Sequence, residues 1–179
     1  MIGTIVIPVT KSPHPKGRIG PEKFQDWFRG LKKAVSIAIK SDGEILVISD
    51  AQYTNQSHES DLYCKALTKL SQVRHRVIRA GRETIEQVNL SFKLAEVEKK
   101  ELIFVSTFFH YPRVQWLIWR CKVKKLKVRV SHYISFGIPR PREMLTDIAF
   151  TFLFPLIDIL GGRQLFIRAV NKRRIEGKL

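Results

Sequence analysis

The segment from Leu102 to Val114 contains the side chains most able to do chemistry. An apolar run ends at Ser106 and Thr107, and His110 and Arg113 follow beside a proline that marks the start of a helix. Hydroxyls, the N–H groups of a helix start and a guanidinium are donors that bind phosphate or carboxylate, and an imidazole beside them can transfer a proton. The junction therefore predicts an anion site, although capping alone also places Ser and Thr at such turns.

A second polar loop follows the first predicted strand and has the same chemistry. Its hydroxyl, imidazole and basic side chains are Thr10, Lys11, Ser12, His14, Lys16 and Arg18. If the strands take the order 3-2-1-4-5, this loop and the one after Ser106 line the crevice where ligands collect. The next two strands add Asp50, His58 and Glu59, then Arg82, Glu83 and Thr84. Because separate loops bring hydroxyl, imidazole and charged side chains to the same edge of the sheet, we expect a ligand site there.

The elements that position these loops alternate between short β-branched runs and helical patterns. Strands are predicted at Ile2 to Val9, Glu44 to Ser49, Val73 to Arg79, Glu101 to Ser106 and Leu126 to Tyr133. Helices are predicted to begin at Pro21, near His58, near Glu83, at Pro112, at Ile148 and at Arg163. The pattern predicts an α/β fold, a three-layer Rossmann-like parallel sheet of about five strands with helices on both faces. We expect one domain over residues 1–179, with 142–179 a C-terminal helical extension packed on it.

A formal net charge of +16 and a pI near 10.2 favour polyanionic partners. Nucleic acid is one alternative, through Lys122, Lys124, Lys125, Lys127 and Arg129, although the chain contains no recognised nucleic-acid module. Anionic membrane is another, through the apolar run Ile148 to Leu160 and the basic closing helix. That run is shorter than the ~20 residues of a membrane span, and we expect it to cover the remaining face of the sheet rather than to contact lipid.

Several other classes of site are disfavoured by spacing. Neither a dinucleotide-binding Gly-x-Gly-x-x-Gly nor a P-loop is present, and Cys64 and Cys121 are far apart, which indicates a reducing compartment. No cluster has metal-ligand spacing, although Asp50, His58 and Glu59 could meet in space. The first residues read as a strand without a basic leader, so a cytoplasmic protein, in contact with a membrane only at its surface, is expected.

Three segments resemble the YdcF/SanA/ElyC family, the domain of unknown function numbered 218. They read Ile48-Ser49-Asp50 with His58-Glu59-Ser60, Arg82-Glu83-Thr84-Ile85-Glu86-Gln87, and Val105-Ser106-Thr107-Phe108-Phe109-His110-Tyr111-Pro112-Arg113-Val114. The resemblance implies a Rossmann-like sheet, envelope-related roles in bacteria and S-adenosylmethionine as a candidate cofactor, and it names no settled reaction. Carried over residue by residue, it selects Glu59, Thr84, Glu86, Ser106, His110 and Arg113.

Together these observations predict a domain that binds a small phosphate- or nucleotide-like anion at the carboxyl ends of the strands. The predicted ligand-binding residues are Thr10, Lys11, Arg18, Asp50, Thr84, Ser106, Thr107 and Arg113. His110 is the expected proton carrier, with Glu59 or Glu86 as the carboxylate that orients it. Whether the domain catalyses a reaction is left open by the sequence.

Overall fold

The computed structural model describes residues 3–10, 26–50, 58–70, 72–81, 83–123, 127–136 and 141–175. Within these ranges five strands form one sheet, namely β1 (Thr4–Val9), β2 (Glu44–Ile48), β3 (His75–Ile78), β4 (Glu101–Thr107) and β5 (Val130–Ser135). All four strand pairings are parallel, and the order is β3-β2-β1-β4-β5. The predicted Rossmann-like sheet and its strand order are confirmed.

Six helices accompany the sheet in the described ranges. They are α1 (Asp26–Lys40), α2 (Glu59–Leu70), α3 (Thr84–Glu98), α4 (Tyr111–Val123), α5 (Pro141–Ile159) and α6 (Arg163–Ile175). Helices α1 and α2 pack on one face of the sheet and α3 and α4 on the other, while α5 packs against α4 and α6 against α5. The arrangement has three layers, as the alternation of elements predicted.

Buried strand residues divide between the two faces according to the two-residue period of a strand. In β1, Ile5, Ile7 and Val9 join the cluster under α3 and α4, whereas Val6 joins the cluster under α1 and α2. Phe104 of β4 is completely buried on the α3–α4 face. Both faces of the central strands are therefore covered, which explains their nearly continuous apolar sequence.

Element boundaries differ from the predicted ones mainly at the edges of the sheet. Strand β5 runs to Ser135 rather than ending at Tyr133, and β3 is shorter than Val73 to Arg79. Helix α5 begins seven residues before Ile148, because Pro141 suits the first turn of a helix and that turn needs no apolar residue. The predicted starts of the first helix and of the fifth strand lie outside the described residues.

An ionic cluster joins the elements at the amino edge of the sheet. Arg76 of β3 donates to Glu98 at 2.7 Å, and Lys100 lies 2.6 Å from Glu44 and 2.8 Å from Glu98. The hydrogen bond from Arg76 holds the pKa of Glu98 below its ordinary value. Charges at this edge are thus paired with one another.

Gly30 brings α1 close to the carboxyl edge of the sheet. A Cβ at this buried position would come closer than 3.0 Å to the Cγ2 methyl of Thr10 and to 3.8 Å from that of Thr107. The hydroxyl of Thr10 is hydrogen-bonded to that of Tyr63 on α2, so the Thr10 side chain cannot rotate away without losing that bond. Glycine therefore sets the distance between α1 and the ends of β1 and β4.

We predict that Gly30→Ala lowers the free energy of unfolding by about 1 kcal/mol. Alanine would normally stabilise a helix by up to ~1 kcal/mol, but overpacking costs ~1–3 kcal/mol. In a Thr10→Ser background, which removes the methyl and keeps the hydroxyl, Gly30→Ala should become neutral or stabilising. Urea denaturation of the four proteins in this cycle measures the coupling. Equal effects of Gly30→Ala in both backgrounds would show that the contact does not matter.

Candidate functional site

The ends of β1 and β4 meet at the point where the order of the sheet reverses. Val9 is paired with Ser106, so Thr10 and Thr107 are the next residues of the two strands at this edge. The prediction that Thr10 and Ser106 lie at neighbouring strand ends is confirmed. Parallel α/β sheets bind ligands at such a position, beyond the carboxyl ends of the strands.

Thr107 contributes a buried hydroxyl on the α1 side of this edge. The residue is 1% exposed, and its Oγ1 makes no hydrogen bond to the residues that the structure describes. Its β5 neighbour in the register is Ser135, which is also buried. Since most buried hydroxyls have a partner, Thr107 is a candidate contact for a ligand.

The end of β2 supplies a second group of polar residues, with α2. The Ser49 hydroxyl donates to the Glu59 carboxylate at 2.5 Å, and the backbone N–H of Asp50 donates to the carbonyl of Gly81. In the same segment, His58 Nδ1 and Ser60 Oγ are buried without a hydrogen bond in the described part of the chain. Glu59 is therefore near the edge, but Ser49 already binds its carboxylate.

Ser106 lies on the α4 side and takes part in a chain of hydrogen bonds. Its hydroxyl is 2.7 Å from His132 Nε2, and His132 Nδ1 is 2.9 Å from Gln115 Oε1. The Tyr111 ring stacks on the imidazole with 4.1 Å between centroids. Because Gln115 Oε1 can only accept, Nδ1 carries a proton and Nε2 accepts from Ser106. Neutral His132 satisfies this arrangement, and burial lowers its pKa to about 4.

Four further predicted residues lie where α3 and α4 begin. Arg113 Nη2 donates to Thr84 Oγ1 at 2.8 Å, which fixes the guanidinium at the start of α3. The Glu86 carboxylate accepts from the backbone N–H of Glu83 at 3.4 Å, in a capping box. His110 is half-buried, and its backbone N–H donates to the carbonyl of Thr107.

The structure thus brings the described site residues to one edge but divides them between its two sides. Thr10 and Thr107 face α1, whereas Ser106 belongs to the α4 side with Thr84 and Arg113. A ligand in contact with both groups would have to lie across the ends of β1 and β4. The predicted Lys11 and Arg18 lie outside the described residues.

Helix α1 adds cations that the sequence did not single out. Arg29, Lys32 and Lys33 line a shallow groove of about 390 Å³ together with Ile134, Ser135 and Phe136 at the end of β5. Ser135 is paired with Thr107, so the groove lies next to the strand position of Thr107, whose hydroxyl is buried behind it in the register. A second groove, of about 300 Å³ between α1 and α2, is lined by Lys32, Lys40 and mainly apolar residues. Neither groove contains a predicted site residue, and we favour the first because Ser135 in its lining is paired with Thr107.

Phe136 gives the same groove an exposed aromatic side. Its ring stacks on that of Phe108, with 6.0 Å between centroids and 29° between planes. Both rings are at least half exposed. An aromatic face beside cations is suited to a flat, charged ligand.

Helix α5 touches the loop that joins β4 to α4. The Thr151 hydroxyl donates to the carbonyl of Phe109 at 2.5 Å, and Thr151 is buried. This bond satisfies a carbonyl one residue before His110. The C-terminal helices therefore help to hold the loop in place.

The cations of the nucleic-acid alternative lie elsewhere. Lys122, Lys127 and Arg129 are exposed, and Arg129 donates to Glu101 at 2.7 Å. Lys124 and Lys125 lie outside the described residues. Binding of nucleic acid by these cations stays a prediction, and it is supported by their charge alone.

No family model, curated protein or solved structure matches the chain. The resemblance to the YdcF/SanA/ElyC family therefore stays a prediction, as do S-adenosylmethionine and the roles that the resemblance gives to the site residues. Within the described ranges, no group of three His, Cys, Asp or Glu side chains could hold a metal ion.

We predict that His132 makes the fold less stable as the pH falls from about 6.5 to about 4. Its pKa drops from 6.5 in the unfolded chain to about 4 in the folded protein, so the unfolded state binds the extra proton in this window. The contribution of neutral His132 to the free energy of unfolding is fully present above pH 6.5, and about 3 kcal/mol of it has been lost once the pH is below 4.

Denaturation by urea at several pH values tests this prediction. His132→Gln should flatten the dependence of the free energy of unfolding on pH between 4 and 6.5, whatever its effect at pH 7. His75→Gln, at an exposed position on β3, is the matched control. An unchanged slope in His132→Gln would mean that another group causes the dependence.

Proposed function

We propose that this protein binds a small, phosphate-bearing and nucleotide-like ligand at the carboxyl edge of its sheet. The observation that carries the proposal is the Thr107 hydroxyl, which is buried without a hydrogen bond in the described chain beside a groove lined by three cations. An unsatisfied buried hydroxyl costs about 1–3 kcal/mol, and a phosphate oxygen is an acceptor that would remove this cost. Hydroxyl and cations together select an anion.

The cations of α1 would supply the charge that a phosphate needs. Arg29 and Lys33 form no ion pair with any described residue, unlike the paired charges at the amino edge. A guanidinium binds two phosphate oxygens at once, and an ammonium acts as a point charge. The groove is shallow, so we expect an exchangeable small ligand rather than a permanently enclosed cofactor.

The aromatic side of the groove supports a ligand with a flat ring. Phe136 and Phe108 present a stacked pair that is open to solvent, a few residues from the buried hydroxyl. Stacking of a base on an aromatic side chain contributes ~1–3 kcal/mol and does not depend on the identity of the base. A nucleotide combines this ring with a phosphate.

On the α4 side, Arg113 and His110 would contact the same anion from across the strand ends. Ser106 fits this role less well than Thr107, because its hydroxyl is bound to His132. With His110 as proton carrier and Glu59 or Glu86 as its orienting carboxylate, the site would belong to an enzyme of envelope-related metabolism, in line with the family resemblance. The reaction itself is no part of the proposal.

A thermal-shift series tests the proposal directly. Inorganic phosphate, adenosine, AMP and S-adenosylmethionine are compared at equal ionic strength. A ligand at ~100 times its dissociation constant adds about 2.7 kcal/mol of stability, which is readily measured. We expect AMP to exceed both phosphate and adenosine, because it combines ring and phosphate. No shift with any of the four compounds would overturn the proposal.

We predict that Thr107→Val raises the free energy of unfolding of the ligand-free protein by about 1–3 kcal/mol, because the cost of burying an unsatisfied hydroxyl is removed and no internal hydrogen bond is lost. The same change should weaken AMP binding roughly tenfold or more, since a hydrogen bond to a charged group is removed. Titration calorimetry and urea denaturation measure the two effects. Thr68→Val, at an exposed position of α2, is the control. Lost stability with unchanged affinity would make Thr107 a structural residue.

The two sets of cations give a separate prediction. Arg29→Gln with Lys33→Gln should weaken AMP binding and reduce its dependence on salt, because counterions are no longer displaced. Arg113→Lys should also weaken binding although the charge is kept, since an ammonium cannot replace a planar two-point contact. Lys93→Gln, on the exposed surface of α3, should change neither. If only Arg113→Lys has an effect, the anion lies on the α4 side alone.

A further inference from the structure

Among the described side chains, helix α5 is apolar on two faces, and one of these faces is exposed. Phe154 is completely buried beside Phe166 of α6, and Thr151 and Asp158 also face inward. The other face consists of large apolar side chains that are 51% to 76% exposed. They are Phe152, Leu153, Leu156, Ile159 and Leu160. Their spacing follows the helical repeat, so they form a continuous stripe along α5.

Helix α6 also bears an exposed apolar residue, and basic residues follow it. Leu165 is 70% exposed, and Arg168 is exposed one turn further on. A turn at Gly161, with φ of 78°, joins the two helices. The last turns of α6 contain Lys172, Arg173 and Arg174 in the sequence. We call the six residues Phe152, Leu153, Leu156, Ile159, Leu160 and Leu165 the α5–α6 apolar face.

Negative charge is kept away from this face. Asp158 is the one acidic residue of the sequence between Ile148 and Ala169, and it is 4% exposed. Arg163 donates to it at 2.6 Å and Trp116 at 2.9 Å, and Arg120 lies within 3.4 Å. The carboxylate is thus neutralised inside the fold, and the charges that remain outside are positive.

We propose that the α5–α6 apolar face docks on the surface of an anionic lipid bilayer. Exposed apolar patches of this kind mark interaction sites, and an apolar stripe flanked by cations is the form that binds at a membrane surface. In the described part of the chain, no helix has the length and apolarity needed to cross a bilayer, so the contact is one of surface docking. Trp119, on the neighbouring helix α4, is half exposed, and tryptophan is a residue type found at membrane interfaces.

Charge distinguishes the bilayer from a second copy of this chain. Each copy has a net charge of +16, and two copies joined through this face would bring Arg168 and the basic end of α6 near their equivalents. Such an arrangement is repulsive, whereas anionic headgroups attract the same residues. Complementary charge therefore favours lipid as the partner.

Cosedimentation with vesicles tests the proposal. The full chain is mixed with phosphatidylcholine vesicles with or without 30% phosphatidylglycerol, on the order of what anionic membranes contain. Binding should require the anionic lipid. Leu156→Ser with Leu160→Ser should weaken it about tenfold or more, because less apolar surface is inserted. The matched control is Ile39→Ser with Val97→Ser, two exposed apolar residues on α1 and α3, which should bind as wild type does.

A charge variant completes the experiment. Arg168→Gln should weaken binding to anionic vesicles about fivefold, and Lys93→Gln on α3 should not. Thermal denaturation checks that each variant is folded. We expect all of them to fold, because the substituted side chains are exposed. Equal losses for the two serine pairs, or no binding to anionic vesicles by the wild type, would overturn the proposal. A different result would identify a second copy of the chain as the partner of this face. In that case the wild type would not bind vesicles but would form a dimer in analytical ultracentrifugation, and Leu156→Ser with Leu160→Ser would abolish the dimer.

Discussion

The pairing of β1 with β4 is the constraint on which the rest of the structure depends. These strands are distant in sequence, yet six consecutive residues of each are in parallel register, from Thr4 with Glu101 to Val9 with Ser106. Right-handed crossovers on either side of this pair place α1 and α2 on one face and α3 and α4 on the other. Ligands of such sheets bind beyond the carboxyl ends of the strands at this reversal, and the described candidate site residues lie near the same edge.

The sheet could be predicted because its strands are locally distinct. Strands β1, β2 and β4 are covered on both faces, so each appears as an apolar run between polar loops, and their carboxyl ends are easily found. Loops that leave the same edge must be neighbours, which is why Thr10 and Ser106 could be placed together. Edge strands β3 and β5 are less distinct, and their boundaries were the least accurate.

His132 shows what local patterns do not contain. In the sequence it is one polar residue in an alternating edge strand, and alternation predicts only that it is partly covered. Its contact with Ser106 depends on the register that pairs Phe104 with His132, and on α4 presenting Gln115 and Tyr111 above it. Register and helix packing are set by the whole fold, so the hydrogen-bonded chain emerges only in three dimensions.

The outer faces of helices were a second source of missed residues. Arg29 and Lys33 occupy the polar side of an amphipathic helix, which usually faces solvent alone. Their place beside the end of β5 follows from the packing of α1 on the sheet. Helix α5 posed the opposite problem, since it is apolar nearly all round. Periodicity could not tell which of its two apolar faces is covered, and a helix of this kind was expected to be buried.

The hydrogen bond from the Thr151 hydroxyl to the Phe109 carbonyl connects helix α5 to the loop that follows β4. Helix α5 bears Thr151 on its inner side and the apolar stripe on its outer side, so one helix diameter separates the loop before His110 from any surface on which α5 rests. A displacement of α5 would be transmitted to that loop through this hydrogen bond, and to α4 through the contacts of Asp158 with Trp116 and Arg120. Thermodynamic linkage is reciprocal: if lipid changes the affinity for the ligand, the ligand changes the affinity for lipid by the same factor. A domain with both sites would hold its ligand differently at a bilayer and away from it.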